Sequence, residues 1–243
     1  MRRALVVGGA NGIGLSIALQ LASREDFDKV YVVDRVALSA EHKHEKIESY
    51  EFDLCSSDFG FFDKFTDVDT LMITAGFGKL ALFKDVPEES IISSMNVNAV
   101  AVMRLVHRFY DRIASHKDFY TGVMVSSAGF MSSPFFSVYG ASKASLKIFL
   151  ESVNVDLEKA GCSNRILNVS PGSIKGTSFN NGQTDLTMTE ALAKEIIAHL
   201  DAKDDLFIPQ YEEIFKTVLQ RYHEDFREEG RHSYEYKLKS GRI

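Results

Sequence analysis

The stretch VVGGANGIG, Val6–Gly14, comes almost at the start of the chain, and five of its nine residues are glycine or alanine. It overlaps an apolar, β-forming run that begins at Ala4, so strand-like sequence gives way at once to backbone nearly bare of side chains. Beyond it, Ile13, Ile17, Ala18 and Leu21 fall on one helical face. In the order strand, loop, helix, missing side chains let backbone N–H groups approach a phosphate, with the partial positive charge of the helix N-terminus behind them. Gly8, Gly12 and Gly14 have the spacing G-x-x-x-G-x-G. Tight strand-to-helix turns also need glycine, but here a second strand pattern ends at Asp34, about twenty residues after the last glycine. A carboxylate at that point can accept hydrogen bonds from both ribose hydroxyls of an adenosine. The pattern therefore predicts dinucleotide binding at Gly8, Asn11, Gly12, Ile13, Gly14 and Asp34, with Arg35 next to the carboxylate.

Further along, short β-rich runs alternate with helical patterns. Strands are expected at ALVV, VYVV, SYEF, TLMIT, TGVMV, RILNV and LFI. Several are apolar on both faces, as buried parallel strands are. Two more helical stripes follow, one of Met95, Val102, Val106, Phe109 and Ile113, the other of Leu146, Phe149, Leu150, Val153 and Leu157. This alternation predicts an α/β fold, a single-domain, doubly wound, Rossmann-like parallel sheet with helices on both faces. No Pro/Gly/Ser-rich linker or repeat divides the 243 residues, so one dinucleotide-binding catalytic domain is expected over residues 1–243. Only RVALSAEHKHEKIE separates the second strand from the third, and its His42 and His44 read as part of a solvated, charged face rather than a metal site. No metal is expected.

Composition narrows the partners. A formal charge of −6 argues against nucleic acid. The apolar run after Arg2 and Arg3 stops at Gly8, too short for an export segment, and no run is long enough to span a bilayer. Cys55 and Cys162 are too few for a disulfide framework and read as reduced thiols of a cytoplasmic protein.

The chemistry lies in MVSSAGFMSSPFFSVYGASKASL. Tyr139 and Lys143 are four apart and share one face of a helix. A phenol with its usual pKa of ~10 is a poor base at neutral pH, and lowering it to about 7.5 needs roughly 3.4 kcal/mol. A lysine ammonium ~4 Å away, at an effective dielectric of ~20, supplies about 4 kcal/mol. Tyr139 is then able to serve as a general acid/base.

With the glycine loop and the strand-end serines, this pair has the order and spacing of the short-chain dehydrogenase/reductase family, which the chain resembles from Ala4 to Thr177. In that family a serine stands thirteen residues before the tyrosine and three before a glycine. Ser126 meets both conditions; Ser127 meets neither and is the reserve. The resemblance implies a catalytic set of Asn98, Ser126, Tyr139 and Lys143. Asn98 would hold a water linking Lys143 to solvent, Ser126 would fix the substrate oxygen, and Lys143 would bind the nicotinamide ribose. It also implies adenine contacts from Asp53 and Leu54, cofactor contacts from Ala75 and Gly76, and a turn beside the nicotinamide carrying Pro171, Gly172, Ile174 and Thr177. Three positions depart from the family: Val7 replaces a threonine, ITAG (Ile73–Gly76) replaces Asn-Asn-Ala-Gly, and Thr177 comes one residue late. The second change is expected to remove a side chain that binds backbone between strands.

The implied reaction is hydride transfer between a nicotinamide cofactor and a secondary alcohol or ketone, with NAD favoured over NADP because of Asp34. The alternatives are an NADPH-dependent carbonyl reductase and a non-catalytic, nucleotide-sensing binding protein on the same fold. The substrate is expected to be a small alcohol or carbonyl compound, apolar to judge from FMSSPFF and FGKLALF. Residues 176–190 are expected to form a substrate lid and 209–243 a C-terminal helical extension. That extension should bear Ile214, Val218, Leu219 and Tyr222 on one helical face, followed by a basic tail. Assembly as a homodimer or homotetramer is expected through the helices at 90–115 and 139–159, without membrane or nucleic acid.

Overall fold

The computed structural model describes residues 1–179 and 182–239. Its centre is a seven-stranded sheet, parallel throughout, in the order β3-β2-β1-β4-β5-β6-β7. The strands are β1 (Arg2–Val7), β2 (Phe27–Asp34), β3 (Ile47–Glu51), β4 (Thr70–Ile73), β5 (Tyr120–Met124), β6 (Ile166–Val169) and β7 (Leu206–Phe207). Each of the seven expected runs is a strand. The order reverses at β1, so the C-terminal ends of β1 and β4 diverge around a crevice, the usual ligand position in such sheets.

Strand alternation divides the core. Ala4 and Val6 face one side with Val30, Val32 and Met72, beneath α1 (Gly12–Ser23) and α6 (Leu186–Ala202). Leu5 and Val7 face the other with Leu71, Ile73 and Val123, beneath α3 (Ala101–Arg108) and α5 (Ser137–Lys159).

Two crossovers carry no α-helix. The β2–β3 link has only a 3-10 turn at Ala40–His42, because its charged run offers no apolar stripe to bury. Between β3 and β4 a 3-10 segment, Phe59–Lys64, lays Phe59, Phe61 and Phe62 against Phe52. The helix expected across 90–115 is broken into α2 (Glu88–Met95), a π-helical turn at Asn96–Val100, α3 and α4 (Tyr110–Ile113).

The C-terminal tail is helical. After β7 come a π-helical turn (Tyr211–Phe215), α7 (Lys216–Glu224) and α8 (Phe226–Lys239). The stripe expected on this segment is weak: Ile214 is exposed, and Val218, Leu219 and Tyr222 are only half-buried. Residues 240–243 lie outside the described residues. Among the described residues, no helix is long and apolar enough to cross a membrane.

Candidate active site

The glycine loop is shaped by close approaches. Gly8 has φ +88°, and a Cβ there would lie 2.4 Å from Ala75 N; a Cβ on Gly14 would lie 2.2 Å from Gly8 O. Only glycine fits at either position. Asn11 is the N-cap residue of α1 in extended conformation, and its side chain does not cap the helix. Ile13 is half-buried and packs against the core beneath α1. Gly12 N, at the helix start, donates to Thr184 Oγ1 at 3.3 Å, and Thr177 packs beside Gly12. Thr177 Oγ1 donates back to Ile174 O at 3.3 Å. Of the span 176–190, Leu186–Glu190 already belong to α6, which Asp185 caps through Thr187 N at 3.0 Å. Asn180 and Asn181 lie outside the described residues.

Asp34, at the end of β2, is held by the same loop. Its Oδ2 accepts from Ala10 N at 3.0 Å and its Oδ1 from Val36 N at 3.4 Å. Arg35 is exposed. Asp53 Oδ1 accepts from Cys55 N at 2.9 Å, and Leu54 is buried beside it.

Across the crevice, Thr74 corrects one expectation. ITAG lacks the asparagines expected to tie strand to strand, yet Thr74 Oγ1 donates to Val7 O at 3.1 Å and Gly8 O at 2.9 Å. The hydroxyl does that work from its own position. Ala75 N also donates to Val7 O, at 3.0 Å.

Asn98, Lys143 and Gly76 converge. A Cβ on Gly76 would lie 3.2 Å from Asn98 Oδ1 and 3.2 Å from Lys143 Nζ. Asn98 sits in the π-helical turn and grips the backbone of Phe77: Phe77 N donates to Oδ1 at 2.9 Å, and Nδ2 donates to Phe77 O at 2.8 Å. Ser94 Oγ and Ser142 Oγ lie 3.2 Å from the same Nδ2. The side chain is thus occupied by protein, and a water at this residue would have to use its backbone.

Tyr139 and Lys143 lie in the first two turns of α5, Ser126 just past the end of β5. Ser126 Oγ accepts from Ala128 N at 3.2 Å. Pro171 O accepts from Ser127 N at 3.0 Å, bringing the Pro171–Gly172 turn to this edge. Lys143 is buried, and its Nζ donates to Met124 O at 2.8 Å, 5.8 Å from the Tyr139 ring centroid. Burial drives the lysine down to about 7. Burial also pushes the Tyr139 phenol up to about 12, opposed only by a hydrogen bond with Ser126. The lowering of the phenol by a nearby ammonium, expected from the sequence, is not developed in this structure, where burial disfavours the charged form of both groups.

Two aromatic rings flank Tyr139. Phe136 and Phe179 lie 5.3 and 5.1 Å from the Tyr139 ring. Phe215, from the extension, covers Gly172 closely enough that a Cβ there would come within 2.8 Å of its ring. Neither Phe215 nor Thr74 was visible to motif reading. Ser142 was discoverable, since it lies one position before Lys143 on the same helix.

The model for short chain dehydrogenases matches residues 2–187. The chain belongs to the short-chain dehydrogenase/reductase family. An uncharacterized short-chain type dehydrogenase/reductase of Sinorhizobium fredii is 32% identical over 178 residues, covering 71% of this chain and 69% of that protein. Human 17-beta-hydroxysteroid dehydrogenase type 1 is 28% identical over 183 residues, covering 69% of this chain and 56% of its own. A Burkholderia phymatum short chain dehydrogenase/reductase, solved in complex with NAD, superposes with a TM-score of 0.78 at 16% identity over 93% of this chain and 94% of that one. That superposition is a likeness of fold.

Proposed function

We propose that this short-chain dehydrogenase/reductase is an enzyme that reduces apolar ketones, or oxidises the matching secondary alcohols, with NAD(H) as cofactor, in a single catalytic domain. The observation that carries the reading is the meeting of Ser126, Tyr139, Lys143 and Gly76 at the strand ends beside the glycine loop. The residues fit a dinucleotide. Gly8 and Gly14 let the loop pack against Ala75 and Thr74 with no side chain between, and Gly12 N, which donates to a hydroxyl oxygen at the start of α1, is the kind of donor a phosphate oxygen takes. Gly8, Gly12 and Asp34 would hold its adenosine diphosphate half, Ala75, Gly76 and Lys143 its nicotinamide half, and Pro171, Gly172, Ile174 and Thr177 would close over it. When bound, the nicotinamide ring supplies or accepts the hydride.

The chain's own groups handle the oxygen. Tyr139, with its pKa raised by burial, is protonated at neutral pH and donates its proton to the substrate oxygen during reduction. Ser126 Oγ, beside the phenol, donates to the same oxygen and orients it. Phe136 and Phe179 offer an apolar wall that keeps water from the phenol, and Phe215 covers the Gly172 turn.

Asp34 favours NAD(H). Its carboxylate is anchored by Ala10 N, so it is not free to swing from a 2′-phosphate, and like charges forced together cost several kcal/mol. The exposed apolar side chains Ile92, Val100, Ile148 and Val155 support a homodimer through α2, the π-helical turn and α5. A tetramer contact through β7 has little to use, since that strand is two residues long. A cytoplasmic location agrees with the free thiols of Cys55 and Cys162.

The test is loss of NADH absorbance with a panel of apolar ketones, repeated with NADPH. Turnover with NADH at a higher kcat/KM than with NADPH is expected. A preference for NADPH would reject the role of Asp34. Quenching of NADH fluorescence without turnover of any ketone would mark a nucleotide-binding protein instead.

A further inference from the structure

The family match ends at residue 187, and α8 lies well beyond it. Yet α8 reaches back to the residues just before Tyr139. Lys237 is buried to 9% exposure, and its Nζ donates to Ser133 Oγ at 2.8 Å and Pro134 O at 2.7 Å. The same Nζ lies 5.4 Å from the centroid of the Phe136 ring. One turn earlier, Tyr234 sets its ring 4.5 Å from that of Phe135. At the start of α8, Phe226 O accepts from Ser132 Oγ at 3.4 Å. An ammonium is costly to remove from water unless acceptors replace the water, and two of the hydrogen bonds of this one go to a single turn of chain.

That turn needs holding. Phe135 is buried at φ +65°, in the left-handed region that bulky residues rarely adopt. Its carbonyl accepts from Ala81 N at 3.0 Å, so the same turn also fixes the loop after β4. The next residue, Phe136, is the N-cap of α5, and Gly140 N donates to its carbonyl at 2.7 Å. The Phe136 ring in turn faces Tyr139 at 5.3 Å. Direct contacts therefore run from Lys237 through Ser133, Pro134 and Phe136 to the phenol.

We propose that Lys237 is a positioning residue for the substrate side of the site: from α8, its ammonium holds the Ser133–Phe136 turn and so sets where the Phe136 ring stands against Tyr139. The inference rests on reading Tyr139 as the proton carrier. Removing the ammonium lets the turn around Phe135 relax, which weakens ketone binding and leaves the dinucleotide side intact.

The test compares full-length wild type, Lys237→Met, which keeps the alkyl stem, Lys237→Arg, which keeps the charge, and Ser133→Ala, which removes one acceptor. Amide hydrogen exchange followed by mass spectrometry needs no substrate. In Lys237→Met, residues 130–136 should exchange about tenfold faster while residues 8–16 are unchanged; Ser133→Ala should show a smaller change in the same segment. With propiophenone as probe, KM should rise about fivefold in Lys237→Met, with NADH affinity within about twofold and with Lys237→Arg recovering most of the loss. Unchanged exchange at 130–136, or equal acceleration at 130–136 and 8–16, overturns the proposal. If Lys237→Met does not fold, Ser133→Ala and Lys237→Arg decide by the same measurement. A wild type inert on propiophenone counts against the proposed activity, and exchange still decides the role of Lys237.

Discussion

Burial shifts Tyr139 up and Lys143 down, and each gives a prediction. Tyr139→Phe keeps the ring among Phe136 and Phe179 but removes the proton. Turnover should fall by about 10²–10⁴-fold, with NADH affinity by fluorescence titration within a few-fold; activity within tenfold of wild type would end the assignment. For Lys143 the sign follows from linkage. Its folded pKa of about 7 lies below the ordinary lysine value, so between the two the unfolded chain binds the extra proton and stability rises with pH. Below about 7 the buried ammonium carries its full desolvation cost. Wild type should therefore gain stability between pH 6.5 and 9 by urea unfolding, by an amount on the order of a few kcal/mol at most. Lys143→Met should lack that slope, be more stable than wild type at pH 6.5, and lose activity. A wild-type stability flat with pH would mean that the ammonium is better solvated than its burial implies. At this scale the motif residues were legible because their spacing is local. Thr74 was not, since its partners, Val7 and Gly8, come from a distant strand end.

Among the elements, strands were the easiest to read. Seven β-rich runs became seven strands, and those at the centre of the sheet are apolar because a parallel sheet buried on both faces admits little else. The crossovers were harder. The cluster of Phe59, Phe61 and Phe62 fills the space of a helix with aromatic rings in a 3-10 segment, and no helical period announces that. The π-helical turn at Asn96–Val100 was equally hidden, because one extra residue in a turn leaves no mark in composition. Its effect is visible in the structure: it accompanies the grip of Asn98 on Phe77 N and O. Asn98→Ala should leave both of those backbone groups without this partner and cost about 1–3 kcal/mol in urea unfolding. Faster hydrogen exchange should be confined to the segment around Phe77 and the π-helical turn. A loss below about 0.5 kcal/mol would mean that water replaces the amide freely.

For the molecule as a whole, the C-terminal extension was the least legible part. Its residues pair with the turn before α5 across about a hundred positions of sequence, and its weak apolar stripe hid that contact. The outer faces of α2 and α5 are the opposite case, apolar where solvent exposure predicts charge. Ile92 and Val100 are 56% and 44% exposed, Ile148 and Val155 59% and 55%. Ile148 and Val155 are two turns apart and form one ridge of α5, and α2 packs beside α5 on the same face of the sheet. A ridge of this kind, repeated by a two-fold axis, makes a self-complementary helical contact. By sedimentation equilibrium, wild type should therefore be a dimer and Ile148→Asp with Val155→Asp a monomer. The thermal midpoint should fall at micromolar concentration, since the folded monomer loses mass-action support from its partner. The proposed cofactor site lies at the strand ends rather than on this ridge, so NADH affinity should stay within a few-fold. A wild type that sediments as a monomer would remove the dimer, and a double variant that stays dimeric would move the contact to another face.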